Sequence, residues 1–518
     1  MMNKRLNDRV FYEIYPPSFY DSNADGIGDI PGIIEKLDYI SQMGFNGIWL
    51  NPCFKSPFFD GGYDVEDYYT VAPRYGTNAD LKKLFVEAHK RDILVLLDLV
   101  PCHTAVTCQW FKESMKAEHN AYTGRYLWTD SIETVFTDVK EVTGTLRGIS
   151  ERNGNCAVSY FSTQPALNYG YAECIHEWQH GVDSPDARAT QEELMQIMRF
   201  WLSMGCDGFR VDMAAFLVKN DREHSGTIAL WKKILGEVRK EFPQAIFVSE
   251  WSEPEKAIAA GFDMDFVLGP MYSQELWRTE KSFFSSNAEG NLGLFWEKYI
   301  DQSAKIKNSG VMCFSSGNHD NTRYAKTTDE IQRKLVMAFL MSMPGVPFVY
   351  YGDEIAMRYL KCLKSVDGGY HRTGSRTPMQ WDTSTNCGFS AAAKDKLYLP
   401  IDPSEDRPTV EQQMQQENSL LHHTQRLLRL RKEHPALQAE ADFKLLTEKE
   451  SYPLAYLRSS AEEQVLVVIN PAEKCYKISI PNEIGRLGQI FSCCGNIQKE
   501  GGQLSISPCS AAIYSVLA

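Results

Sequence analysis

At 518 residues, with 43% hydrophobic and 12% aromatic content, the chain is too long for one small domain and has enough apolar residues for a large core. A formal charge of −13 with no offsetting basic run argues against a nucleic-acid or anionic-membrane partner, but an acidic cleft for a neutral ligand stays open. No apolar h-region follows the N-terminus and no stretch approaches the roughly 20 apolar residues of a membrane span, so the chain reads as a complete cytoplasmic protein.

The first apolar run, Phe11–Ile14, predicts a strand. Behind it the segment DSNADGIGD places Asp21, Asn23 and Asp25 at alternating positions, with Gly26 for a turn, then the Ile27 carbonyl and Asp29. That is the opening pattern of an EF-hand loop, but Gly32 stands where the bidentate Glu belongs. The segment is therefore read as a different Ca²⁺ loop with a structural role. Helical period follows over Pro31–Met43, then a strand over Phe45–Leu50, a helix over Asp80–Arg91 and a strand over Ile93–Val100.

From Thr104 to about Ser184 the sequence is rich in Trp, Tyr and Asn and too long for an ordinary connection, which predicts an inserted subdomain, residues 104–184, walling one side of a site. The alternation resumes with a helix over Gln191–Met204, a strand over Gly208–Met213, a helix over Ile228–Phe242 and strands over Ala245–Glu250, Met264–Leu268 and Val311–Ser315. A helix over Asp329–Met343, a strand over Val346–Tyr351 and a helix over Ser419–Lys432 complete it.

Nearly continuous apolar character is what strands covered on both faces show. Eight of them alternating with helices predict an α/β protein, a (β/α)8 TIM barrel over residues 1–103 and 185–438. An open doubly wound sheet would carry a Gly-rich phosphate turn after its first strand, and none is present. Beyond the barrel, short alternating strands such as Gln464–Ile469 and Lys477–Ile480 predict a C-terminal all-β sandwich domain over residues 439–518. The thirteen cysteines lack CxxC spacing and read as reduced, mostly buried thiols.

In such a barrel the residues just past the C-terminal ends of the strands line the active site. Those ends supply Asp98 and His103, then Arg210 and Asp212 of FRVDM, then Glu250, then His319 with Asp320. Any single carboxylate there is ordinarily a helix cap or a turn former. Three acids from three strands would repel one another as a structural cluster, whereas glycoside chemistry needs two of them with charge balance from Arg and His.

The segments DLVPCH (Asp98–His103), QPALN (Gln164–Asn168), GFRVD (Gly208–Asp212), VSEW (Val248–Trp251) and GNHD (Gly317–Asp320) resemble, in order and spacing, the α-amylase superfamily of retaining α-glycosidases, glycoside hydrolase family 13. The resemblance implies Asp212 as nucleophile, Glu250 as general acid/base and Asp320 as the acid that orients the sugar. It implies His103, Arg210 and His319 as sugar-binding groups. The start YEIYPPSFYDSNADGIGDIPGI, with GYDVEDY, YYGDEIAM and RTPMQWD, is similar to the oligo-1,6-glucosidase, dextran glucosidase and α-glucosidase branch. There Tyr63 and Asp64 would contact the terminal glucose, Arg376 would grip the same ring, and the Asp21–Asp29 loop would bind calcium. The implied partner is a short neutral α-gluco-oligosaccharide cut at its non-reducing end.

Three positions depart from the family pattern. Cys102 replaces the usual Asn before the histidine, so a second calcium between barrel and insertion is not expected. Ala166 replaces the usual Asp of the insertion motif. Met213, directly after the nucleophile position, matches neither the Val that accompanies α-1,6 preference nor the small residue that accompanies α-1,4 preference, which leaves the linkage open. A glucosyl transferase or isomerase such as a trehalose synthase is the alternative enzyme, because a sugar hydroxyl can capture the same glycosyl-enzyme. A catalytically inactive barrel with a binding role is the alternative of a different class.

Overall fold

The apolar runs assemble into a closed, all-parallel barrel of eight strands, in the order β1-β8-β7-β6-β5-β4-β3-β2. They are β1 (Phe11–Ile14), β2 (Gly47–Leu50), β3 (Leu94–Leu99), β4 (Gly208–Val211), β5 (Ile246–Ser249), β6 (Met264–Phe266), β7 (Val311–Ser315) and β8 (Val346–Tyr350). The computed structural model describes residues 3–267, 274–285, 290–481 and 484–517. The expected sixth strand ran to Leu268, which lies outside them.

Side chains alternate along each strand, and the alternation sorts two cores. Tyr12, Ile14, Ile48, Leu50, Val95, Leu97, Phe209, Val211 and Phe247 point outward into the main core under the helices. Phe11, Trp49, Leu94, Leu96, Ile246, Val248, Met264, Phe266, Cys313 and Phe348 fill the barrel interior. Continuing the inward register upward from Phe11, Leu96 and Gly208 reaches Glu13, Asp98 and Arg210. Register pairs Asp98 with Arg210 and Arg210 with Val248, so the charged layer sits directly on the apolar plug. Gly208 is needed at the foot of β4, because a Cβ there would lie 1.8 Å from the Ile246 carbonyl oxygen.

The barrel helices of six or more residues among the described residues are α1 (Ile30–Glu35), α2 (Leu37–Met43), α3 (Asn78–His89), α4 (Pro185–Met204), α5 (Ser225–Glu241), α6 (Pro254–Ala259), α7 (Gly293–Ile306), α8 (Glu330–Ser342) and α9 (Leu420–Glu433). The single helix expected over Pro31–Met43 is two, broken where Lys36 adopts φ −98° and ψ 3°. The first begins with Asp29 accepting from the Gly32 amide and Pro31 in its first turn, a standard start. Four α-helices among the described residues, α6, α7, Gln109–Ser114 and Val410–Met414, were not expected from the sequence. No helix among the described residues is long and apolar enough to cross a membrane.

Between β3 and α4 the chain forms a short helix (Gln109–Ser114), a two-stranded hairpin (Gly144–Leu146 with Cys156–Val158) and a small core of Leu127, Phe136, Val139, Ala157 and Tyr171. After α9 come a five-stranded and a three-stranded antiparallel sheet. Residues of both, including Leu466, Val468, Leu504 and Ile506, meet in one apolar layer, which makes the C-terminal unit an all-β sandwich.

Candidate active site

The barrel mouth is organised by one guanidinium. Arg210 is 2% exposed, and its Nη1 lies 2.9 Å from Asp98 Oδ1 and 2.8 Å from Asp212 Oδ1, while Nη2 lies 2.7 Å from Glu250 Oε2. Asp98 also accepts from Trp49 Nε1 (3.0 Å) and the Tyr63 hydroxyl (2.9 Å), so it is a fixed internal counter-charge. The strand ends at Val211 rather than at Met213. Met213 adopts φ 45° and ψ 39°, and its amide donates to Glu250 Oε2 at 3.1 Å. The turn thereby ties the fourth strand end to the acid from the fifth. Cys102 fits the same turn, its thiol donating to the Met213 carbonyl at 3.3 Å.

Burial raises Asp212 well above the usual carboxylate range, Arg210 opposes this, and the neighbouring Glu250 and Asp98 charges add to it. Three carboxylates on one guanidinium therefore favour keeping a proton within the cluster. Asp320 behaves in the opposite way. Burial would raise it, but His319, Arg376 and Arg372 together hold it well below the usual range. Its oxygens lie 3.3 Å from His319 Nε2, 2.9 Å from Arg372 Nη1 and 3.1 Å from Arg376 Nη2.

The two histidines are held in different states. His103 is pushed down to about 4 by burial, so its ring is neutral, with Nε2 3.0 Å from the Tyr63 carbonyl and Nδ1 without a hydrogen bond. Nε2 is then the donor and Nδ1 a free acceptor. His319 is pushed up to about 9, since Asp320 and Glu13 outweigh its burial. One ring can accept from a hydroxyl and the other can donate to one.

Asp60, Tyr63, His103, Gln164, Phe161, Asp212, Met213, Glu250, Asp320 and Arg372 surround a cavity of about 410 Å³, with Tyr160 and Tyr370 at its rim. Of the residues expected at the site, Asp212, Glu250, Asp320, Tyr63 and His103 line this cavity, and Arg210 and His319 lie against its walls. The other two residues expected there do not line the cavity. Asp64 is 0% exposed and its carboxylate accepts from Ser56 Oγ, the Phe59 amide and the Asp60 amide, so it folds the loop instead of facing the cavity. Arg376 lies beneath the floor, with Nε donating to the His319 carbonyl, and reaches the site through Asp320.

The missed residues are Asp60, Gln164 and Arg372. Arg372 bridges Asp60 Oδ1 (2.7 Å) and Asp320 Oδ1, and Gln164 Nε2 donates to Asp60 Oδ2 at 2.9 Å. The sequence signal for Asp60 was its place before two glycines, Gly61 at φ 59° and Gly62 at φ 102°, which turn the chain back toward the barrel. This contrast has a direct test. Asp60→Ala is expected to lower kcat/KM by roughly 10- to 100-fold along with a stability loss of roughly 1–3 kcal/mol, because Gln164 Nε2 loses its acceptor. Asp64→Ala is expected to cost roughly 1–3 kcal/mol of stability with kcat close to wild type. Steady-state kinetics and urea denaturation on both variants separate the two roles.

The model of the alpha amylase catalytic domain matches residues 13–440. The chain is 32% identical over 516 residues to the trehalose synthase/amylase TreS of Mycolicibacterium smegmatis, covering 88% of this chain and 80% of that one. It is 29% identical over 543 residues to the oligo-1,6-glucosidase of Parageobacillus thermoglucosidasius, covering 92% of each. Among solved structures, the α-glucosyl transfer enzyme XgtA superposes with a TM-score of 0.82 at 24% identity over 99% of both chains. The trehalulose synthase MutB of Pseudomonas mesoacidophila does so with 0.82 at 24% identity over 98% of this chain and 99% of that one. These likenesses give the fold. With the barrel, the acidic mouth and a family match spanning both, the chain belongs to the α-amylase family and is a glycoside hydrolase.

Proposed function

We propose that the protein is a retaining exo-α-glucosidase that removes terminal glucose from short α-gluco-oligosaccharides of the maltose, isomaltose or dextrin type. The observation that carries this is the pair Asp212 and Glu250 bound to the two ends of one guanidinium, at the floor of a pocket crossed by the Asp60–Arg372 bridge. Acids bridged in this way favour the roughly 5–5.5 Å separation of retaining glycosidases over the roughly 6.5–9.5 Å of inverting ones. The bridge across the pocket favours a chain end over a chain interior.

In this reading a hydroxyl-rich ring enters between Tyr63, Asp60 and Asp320. The Asp212 carboxylate attacks the anomeric carbon as Glu250 gives its proton to the glycosidic oxygen, and the aglycone leaves with that proton. The bond formed is Asp212 Oδ to carbon, and the bond broken is carbon to glycosidic oxygen. Glu250, now ionised, takes a proton from water, whose oxygen attacks the same carbon and frees Asp212. Arg210 stays charged throughout and compensates whichever of the two acids is ionised.

The likeness to a trehalose synthase/amylase supports a second reading, in which a sugar hydroxyl captures the glycosyl-enzyme. Product analysis after incubation with maltose, isomaltose, trehalose, sucrose and a maltodextrin separates the two. Stepwise release of glucose is the expected result, and new disaccharides with little free glucose would favour the transfer reading.

We further infer a structural calcium in the Asp21–Asp29 loop. The donors are all oxygens, as a hard divalent cation takes. Asp21, Asn23 and Asp25 each accept an amide two residues on, which coils the loop as such sites require. Among the described residues no three acidic, histidine or cysteine side chains are gathered tightly enough to hold an ion, and Asp29 is engaged by Ser22 and Gly32, so the ion would have to draw the loop together. Removal of calcium by a chelator is expected to lower the melting temperature by roughly 5 °C, restored by added Ca²⁺. An unchanged melt would remove the site. Thirteen free cysteines support a reducing, cytoplasmic compartment.

A further inference from the structure

The inward face of β1 carries Phe11 in the apolar plug and, two residues on, Glu13, which is 0% exposed. A buried carboxylate is costly unless it is paired, and a neutral residue of similar shape would fill the same space without that cost. Glu13 has His319 as its ion-pair partner among the described residues, and the Asn51 side chain also contacts it. Its Oε1 accepts from His319 Nδ1 at 2.7 Å and from the His319 amide at 3.3 Å, and Oε2 has no hydrogen bond. The opposite ring nitrogen, Nε2, is buried beside the cavity and faces Asp320 Oδ2 at 3.3 Å.

The ring is otherwise gripped only by flat or neutral surfaces. Tyr63 stacks on it at 5.1 Å and 14°, Tyr15 lies parallel at 6.5 Å, and Trp49 meets it edge-on at 5.9 Å. These contacts confine the ring to a plane but do not choose which nitrogen carries a proton. Asn51 Nδ2 also lies 3.2 Å from Nδ1 but is itself a donor, so among the described residues it is Glu13 that accepts a proton carried on Nδ1.

We propose that Glu13 is a positioning residue of the reaction: from the floor of the barrel it fixes His319 as a cation whose Nε2–H is presented beside Asp320 to a hydroxyl of the bound sugar. The reading rests on the proposed glucosidase function. A charged donor binds a hydroxyl oxygen more strongly than a neutral one, and it keeps Asp320 ionised as an acceptor for a neighbouring hydroxyl. Donor and acceptor side by side suit two adjacent hydroxyls of a sugar. The charged groups facing the ring are Glu13 from β1, Asp98 from β3, Asp320 next to it and Arg376 from the loop after β8, with Arg278 farther out on the Glu13 side. Removing Glu13 leaves Asp320 as the carboxylate within 4 Å of a ring nitrogen among the described residues, with Asp98 farther off.

The test is the pH dependence of kcat/KM for wild type and Glu13→Gln on p-nitrophenyl α-glucoside. Gln can still accept from Nδ1–H, so orientation is kept while the charge is lost. The expected result is a basic limb moved to lower pH by about one unit, with kcat/KM down about 10-fold at pH 8 and within about 3-fold of wild type at pH 6. A Glu13→Gln profile that superimposes on wild type, or one lowered equally at every pH, would overturn the proposal. Should the variant fail to fold, the wild type still decides. Ring ¹⁵N resonances, absent from His319→Asn, that show both His319 nitrogens protonated through pH 8 support the proposal, and loss of the Nε2 proton by pH 7 overturns it. If the wild type turns over no α-glucoside, the functional reading fails while the ring ¹⁵N resonances still test Glu13.

Discussion

Asp212→Asn is expected to lower kcat/KM on the order of 10⁴-fold on every α-glucoside, whatever its leaving group, while the fold is kept. The amide is isosteric, can still face Arg210, and cannot form the ester on which both half-reactions depend. Glu250→Gln is expected to behave differently. It should cost on the order of 10³-fold on maltose, whose leaving hydroxyl needs a proton, and much less on p-nitrophenyl α-glucoside, whose leaving group does not. The ratio of the two substrates in the two variants is the diagnostic measurement. Equal losses on both substrates in Glu250→Gln would mean that it is not the proton donor, and the mechanism would need another acid.

The second large effect is expected at Arg210. Arg210→Met removes the only cation in contact with Asp98, Asp212 and Glu250 among the described residues, and breaking a buried ion pair on one side typically costs about 3–5 kcal/mol. Urea denaturation should show that loss together with near-complete loss of activity. The pH dependence has a definite sign. Burial already raises Asp98 and Asp212 in the folded state, and removing the opposing guanidinium raises them further. A carboxylate with a raised folded-state pKa destabilises the fold above that pKa, and the penalty is relieved as pH falls toward its unfolded value. The variant should therefore recover stability relative to wild type as the pH falls toward the unfolded-state carboxylate range at about 4. A variant as stable as wild type at pH 7 would mean that the three acids are balanced by something other than Arg210.

The barrel was legible because each strand is a short apolar run buried on both faces, and because its punctuation is chemical: Gly208 at the foot of β4 and acids or His at the strand tops. What the sequence left obscure has physical causes. Helix α6 has only six residues, too few for a 3.6-residue period to register. The break at Lys36 falls inside a continuous amphipathic pattern, since the chain turns without losing its buried face of Ile33, Leu37 and Ile40. Met213 looks like a strand residue by its side chain, but the backbone turns one residue earlier to bring its amide to Glu250.

The site was legible where residues sit in strand register and obscure where loops deliver them. Asp98, Arg210 and Glu250 follow from period-two alternation above the apolar plug. Asp60 and Asp64 are four residues apart in one loop, and the sequence does not say which carboxylate faces in and which ties the turn. Arg372 and Arg376 pose the same problem in the loop after β8. The structure decides both, with Asp60 and Arg372 at the cavity and Asp64 and Arg376 behind it. Glu13 was hidden for the opposite reason. In strand register it reads as one polar residue in FYEI, and only the closed barrel brings it to His319, 306 positions away.

The central claim is that glucose is released from a covalent adduct on Asp212 with retained configuration. Real-time proton NMR of the first turnovers on p-nitrophenyl α-glucoside, whose only sugar is the transferred glucose, tests it most directly, since that sugar keeps its anomeric form until mutarotation. The account predicts that α-glucose accumulates first and β-glucose grows in later. β-Glucose appearing first would contradict it, and would assign Asp212 and Glu250 to a single displacement by water.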